Sequence, residues 1–247
     1  MSVEVQPKPL VSVITVVYNS IATLEQTIKS VINQSYSNVE YIIIDGGSTD
    51  GSIELIQKYE GHIAFWISEP DQGIYYAMNK GLKHAKGSLI SLLNSDDWYE
   101  PHAIEAIVQT FQTHPQVDIY HGLLRFVSDN DRFESVAGHY HTFLDRGMIE
   151  HPTCFIKKSL YDRVGSFDTA YRSAADFEWM QRARSVQANF HLVTTLITNF
   201  RVGGMSASIK GSVEELEIKY KYRLISPARY VFWKMYFQLM SFKKAIG

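Results

Sequence analysis

A chain of 247 residues, 45% hydrophobic and 20% charged, is long enough to bury a sizeable core as one large domain or two small ones. Its net charge of −2 gives no general reason to expect nucleic-acid binding, its single cysteine, Cys154, excludes an internal disulfide, and no CxxC or Cys/His cluster suggests zinc. Residues 1–9 lack the apolar core of a signal peptide, and no apolar run reaches the roughly 18–20 residues that cross a bilayer, so the expected location is cytoplasmic.

In chain order, residues 10–17, rich in β-branched side chains, read as a buried strand. Tyr18-Asn19-Ser20 breaks that run, and Ile21, Leu24, Ile28, Val31 and Ile32 then recur at helical spacing. A second strand over 39–44 ends at Asp45-Gly46-Gly47-Ser48-Thr49-Asp50-Gly51. Those glycines permit a tight turn, and the polar residues suit the cap of a helix over 52–59. A short strand over 63–67 leads into Ser68-Glu69-Pro70-Asp71-Gln72-Gly73, and a helix over 74–85 precedes a fourth strand over 88–94. This alternation predicts a mostly parallel, doubly wound α/β sheet.

After a helix over 103–113 the pattern loosens. Residues 118–127 and 132–136 read as strands joined by the turn Ser128-Asp129-Asn130-Asp131. Residues 139–150 are ambiguous, 152–156 suit a strand and 158–164 a short helix. Residues 175–186 have helical spacing, 192–200 alternate like a strand, and 213–246 are helical with a break at Ser226-Pro227. No repeat or low-complexity linker divides the chain. The predicted organisation is a tail over 1–9, one domain over 10–210 with halves 10–117 and 118–210, and a helical segment over 211–247.

The fourth strand is apolar almost throughout and then stops at Asn94-Ser95-Asp96-Asp97. Ligands of open α/β sheets bind outside the carboxyl ends of strands. Two adjacent acids repel one another there, and a hard divalent cation or ligand hydroxyls would offset that cost. The bland alternative is a solvated turn capping the next helix. Tyr18-Asn19 and Asp45 fall at the ends of other strands, so parallel strands would gather a polar rim the size of a nucleotide pocket. Taken singly, Asp45 would only cap its turn and Tyr18 would be a core aromatic with its hydroxyl at the surface.

These segments together carry a resemblance. Residues 10 to 210 resemble a family 2 glycosyltransferase of the GT-A fold. Val11 to Asn19 is similar to that family's first-strand motif, Asp45 to Ser52 to its second-strand loop, and Ser68 to Tyr75 with Ala77-Met78-Asn79-Lys80-Gly81 to its third. Asn94-Ser95-Asp96-Asp97 resembles its DxD-type metal motif. His151-Pro152-Thr153, Gly165-Ser166-Phe167-Asp168 and Ala174-Ala175-Asp176-Phe177-Glu178 resemble its acceptor-side segments. Tyr76 departs from the pattern, standing where relatives often have Asp.

The resemblance implies a GT-A, Rossmann-like mixed sheet and inverting, metal-dependent transfer of a sugar from a nucleoside diphosphate sugar to an acceptor hydroxyl. Thr15, Tyr18, Asn19, Asp45, Asp71, Lys80 and Asp96 would bind the donor, and Asp97 would ligate Mg2+ or Mn2+ on the diphosphate. Asp176 would be the general base, against the alternative of a helix cap. His151 and Arg201 are weaker candidates for acceptor or diphosphate, and residues 202–206 for a flexible stretch closing over the donor. The implied acceptor is a saccharide or lipid-linked saccharide in cell-surface polysaccharide or glycolipid assembly. Asp168 and Glu178 are read as structural.

Other classes lack their marks. No GxGxxG turn follows the first strand, no GxxxxGK[ST] occurs, and no basic glycine-rich loop lies near the N-terminus. A non-catalytic nucleotide-sugar-binding or scaffold protein of the same fold is the alternative, and the intact Asp97 and Asp176 argue against it. Residues 219–247 carry seven Lys and Arg, no Asp or Glu, and many aromatics. That composition suits a membrane surface at the inner face of the plasma membrane, a closing helix pair, or a homodimer interface.

Overall fold

The computed structural model describes residues 8–128, 132–203 and 209–246, with side chains as far as residue 240. Most of the 1–9 tail, the tip of the 128–131 turn and part of the 202–206 stretch lie outside the described residues.

The first half alternates as its sequence pattern requires: β1 (Val11–Val17), α1 (Ile21–Ile32), β2 (Val39–Asp45), α2 (Ser52–Lys58), β3 (Phe65–Ser68), α3 (Ile74–His84) and β4 (Leu89–Asn94). These strands are apolar on both faces because helices cover both sides. Ile14, Ile42, Ile90 and Met78 join one core cluster, while Val13, Leu24, Ile28, Ile43 and Leu93 join the other. Gly81 lets α3 lie against β1, since a Cβ there would meet Ile14 Cγ2 at 2.4 Å.

The remaining elements are β5 (Trp98–Tyr99), α4 (Ala103–Thr113), β6 (Ile119–Val127), β7 (Phe133–Ala137), β8 (Phe155–Lys157), α5 (Lys158–Val164), α6 (Ala175–Ser185), β9 (Phe190–Arg201), α7 (Ile209–Lys221) and α8 (Pro227–Ile246). Residues 139–150, ambiguous in sequence, contain a 3-10 turn at His141–Asp145. The strand expected over 152–156 is shorter, because a second 3-10 turn, His151–Thr153, with Pro152 near its start, takes the first part. The two-residue β5 had no counterpart in the sequence reading.

All nine strands form one sheet in the order β3-β2-β1-β4-β8-β6-β9-β5, with β7 paired to β6. Strands β3, β2, β1 and β4 are mutually parallel, as are β6 and β9. Pairings of β8 with β4 and β6, β7 with β6, and β5 with β9 are antiparallel. The sheet is therefore mixed, as the GT-A resemblance implied, and less parallel than the strand–helix alternation alone suggested.

Candidate functional site

Parallel register levels the strand ends. Val17 pairs with Asp45, Asp45 with Ser68, and Val16 with Asn94, so the loops after β1, β2, β3 and β4 leave from one edge. The chain turns one way from β1 to β2 and the other way to reach β4, which opens a crevice at that edge.

Hydrogen bonds staple these loops together. Asn19, at φ 49°, accepts the Thr49 N–H at 2.9 Å on its side-chain oxygen, and its own N–H donates to Ser48 Oγ at 2.8 Å. The Ile21 N–H donates to Asp50 at 2.9 Å, and Ser95 Oγ donates to Ser20 Oγ at 2.8 Å. Thr23 and Thr27 of α1 donate to the carbonyls of Ser95 and Asp97 at 2.9 and 2.7 Å. These bonds fix the backbone that presents the two acids.

Asp45 is fully buried and organises its own turn. It accepts the N–H groups of Gly47 and Ser48 at 3.0 and 2.9 Å and the hydroxyls of Ser48 and Ser68 at 2.5 and 2.6 Å. The capping alternative describes its geometry. Thr15 lies within β1, its side chain fully buried and accepting the Tyr41 hydroxyl at 3.1 Å.

Tyr18 is 67% exposed and is not a core aromatic. Tyr18, Gly46 and Asp71 lie together: a Cβ on Gly46 would stand 3.4 Å from the Tyr18 ring and 3.7 Å from Asp71 Oδ2. Lys80 is committed elsewhere: its ammonium pairs with Asp71 at 2.5 Å and Glu69 at 2.7 Å. Burial lowers its pKa, but the two carboxylates outweigh that and raise it. Lys80 thus anchors the Asp71 loop.

Asp97 is fully buried, accepting the Arg201 N–H at 3.2 Å and the Asn94 amide at 3.4 Å. Burial pushes its pKa well above the carboxylate range and the Asp96 charge adds to this; Arg201 and Asn94 only partly counter it. Asp96 is half-buried, its pKa raised by burial and eased by Arg201. The Arg201 side chain donates to Gln26 at 2.9 Å and its guanidinium stands 5.2 Å from the Trp98 ring. The structure therefore places Arg201 beside the acid pair. No group of three or more His, Cys, Asp or Glu side chains that could hold a metal ion occurs among the described residues. Two adjacent carboxylates, one desolvated and weakly bonded, are oxygen donors that would suit a hard divalent cation.

Asp176 is the second residue of α6, whose N-cap is Ala174, so it is not the cap. Its half-exposed carboxylate sits at the positive end of the helix. Oδ1 accepts the Tyr75 hydroxyl at 3.0 Å and the Phe177 N–H at 2.9 Å, leaving Oδ2 without a hydrogen bond among the described residues. His151 is its neighbour: burial lowers the imidazole pKa and the Asp176 charge draws it back up. Because β8 runs antiparallel to β4, the His151–Thr153 turn stands beside the edge that carries Asp96 and Asp97.

Two functional neighbours escaped the sequence reading. Tyr75 is one. Glu214 of α7 is the other: it accepts the N–H groups of Arg172, Ser173 and Ala174 at 2.7 to 3.1 Å, capping the segment that leads into Asp176. No short-range signal marks either, since both act on residues far away in sequence.

Comparisons with known proteins show the family and the fold. A family model described as Glycosyl transferase family 2 matches residues 12–181. An uncharacterised glycosyltransferase of Mycobacterium tuberculosis is 34% identical over 183 residues, 72% of this chain and 70% of that protein. A PGL/p-HBAD biosynthesis glycosyltransferase of Mycobacterium bovis is 27% identical, over 81% of this chain and 80% of that one. Among solved structures, S. aureus TarS 1–349 in complex with UDP-GlcNAc superposes with a TM-score of 0.71 at 17% identity, covering 90% of this chain and 69% of that one. The mannosyltransferase PcManGT from Pyrobaculum calidifontis, in complex with GDP-Man and Mn2+, gives 0.69 at 16% identity, covering 89% and 66%. A longer TarS chain is matched over only 41% of its length. The chain belongs to glycosyl transferase family 2 and has the GT-A fold.

Proposed function

We propose that this glycosyltransferase moves a sugar from a nucleoside diphosphate sugar to a hydroxyl of a saccharide or lipid-linked saccharide, with inversion at the anomeric carbon. The carrying observation is Asp176: a half-exposed carboxylate with one oxygen held by Tyr75 and the other unbonded, beside His151 and the edge of the acid pair. Residues 10–117 are the donor half, 118–210 the acceptor half, and 211–247 the C-terminal segment.

Asp176 Oδ2 would take the proton of the acceptor hydroxyl as its oxygen bonds to the anomeric carbon and the carbon–oxygen bond to the diphosphate breaks. Tyr75 holds the other oxygen and so orients the base. The loops that carry Tyr18, Asn19, Asp45 and Asp71 would receive the base and ribose, with Asp96 near the sugar. Mg2+ or Mn2+, held by Asp97 with Asp96, would supply charge neutralisation for the departing diphosphate. Arg201 stands ready to share that charge, and His151 to meet the acceptor. Support for the donor class comes from the UDP-GlcNAc and GDP-Man bound by fold neighbours, and for a glycolipid acceptor from the mycobacterial relative's name. The site of action follows as the cytoplasmic face of the membrane that holds such acceptors.

The test is Asp176→Asn. We expect kcat to fall by on the order of 100-fold or more while donor affinity stays near wild type, because a base acts on the acceptor. A variant that keeps its kcat, or loses donor binding instead, overturns the assignment.

A further inference from the structure

We propose that α8 is an interfacial helix that seats the protein on an anionic lipid bilayer. This goes beyond the transfer reaction and does not depend on it. One side of α8 faces α7: Trp233 and Phe237 line a groove shared with Leu216 and Lys219 of α7, and the Tyr230 ring stacks on Tyr220 at 4.3 Å. The opposite face is apolar and bare. Val231, Phe232, Met235 and Leu239 recur at helical spacing and are 53%, 63%, 58% and 62% exposed. Contiguous exposed apolar surface of this kind marks an interaction site.

Charge selects the occupant. Residues 218–247 contain seven Lys and Arg and no Asp or Glu. Lys219 and Lys221 pair with Glu215 and Glu178, and Lys234 feels Glu217, but neither Arg223 nor Arg229 has an ion-pair partner among the described residues. Pairing this face with a second copy would bring two segments of net positive charge together. An anionic bilayer complements both the cations and the apolar stripe, and tyrosine and tryptophan suit its headgroup boundary. No described helix is long and apolar enough to cross a membrane, so α8 lies in the interface plane. The segment before α8 is itself anchored to the domain: Lys221 and Tyr222 donate to Glu178 of α6 at 2.9 and 2.8 Å.

Co-sedimentation of the full chain with vesicles decides this. Wild type is expected to pellet with phosphatidylcholine vesicles containing phosphatidylglycerol, far less with phosphatidylcholine alone, and less as salt rises. A Phe232→Ser, Leu239→Ser pair and an Arg229→Glu, Lys234→Glu pair should each weaken binding by on the order of tenfold or more. Circular dichroism and the melting temperature should stay near wild type, because these side chains are exposed. Failure of wild type to bind the anionic vesicles, equal binding to neutral ones, or wild-type binding by both variants overturns the proposal. A dimer in light scattering that the serine pair abolishes, without vesicle binding, assigns the face to a second copy instead.

Discussion

Asp97 is wholly shielded from solvent, and among the described residues only two long hydrogen bonds meet its charge, at 3.2 and 3.4 Å. Desolvating a carboxylate costs several kcal/mol unless something pairs with it. Asp97→Asn removes that charge with little change in volume, so the fold should survive with an equal or higher melting temperature. Turnover should be abolished, and so should the stabilisation that Mn2+ adds to a bound donor. Full activity of the variant, or of wild type in excess chelator, would sink the metal assignment. Lys80 shows the opposite case: two carboxylates already hold its ammonium, so its value is to fix Asp71.

At the scale of elements, the first turn of α6 depends on α7. Three consecutive N–H groups converge on the Glu214 carboxylate, which is nearly buried. Glu214→Ala is expected to cost roughly 2–3 kcal/mol in stability and to lower kcat more than donor affinity. Glu214→Gln should recover part of both, since one accepting oxygen remains; a kcat untouched by either variant would separate α7 from the site. On β6, His121 is fully buried and neither ring nitrogen has a partner among the described residues. Burial lowers its pKa to about 4, with His141 and His191 adding to the shift. The unfolded chain takes up that proton near the ordinary 6.5 and the native state refuses it until about 4, so stability falls as pH drops through this window. His121→Leu should match wild type within about 1 kcal/mol at pH 8 and exceed it by about 2 kcal/mol at pH 5, read by urea unfolding. Parallel losses in the two proteins would show that His121 is protonated in the native state.

For the whole molecule, the loops after β1, β2 and β4 are tied to one another by hydrogen bonds within the protein. A donor should therefore bind without large rearrangement and stabilise by mass action. At a hundred times its Kd, a cognate nucleotide sugar with Mn2+ should add about 2.7 kcal/mol, or roughly 5–10 °C in melting temperature. Screening donors that differ in base and in sugar names the substrate by this shift. If no nucleotide sugar raises the melting temperature, the donor assignment fails.

The sequence by itself determined the elements of the donor half and the family. Strands buried on both faces are long β-branched runs, helices repeat their apolar residues every three or four positions, and the family's loops follow those strands in order. Facing and partnership were decided only by the tertiary structure. In a strand like β1, buried at every position, no alternation tells which side chains point to which face, so the burial of Thr15 beside Tyr41 could not be read from the pattern. The antiparallel insertion of β8 between β4 and β6 is a choice of partner that three residues cannot encode. β5 is too short to show any period. The hydrogen bond from Tyr75 to Asp176 spans 101 residues, and the bond from the Ala174 N–H to Glu214 spans 40. Local pattern carries propensity and burial, whereas contacts between distant segments come into being only when the chain packs.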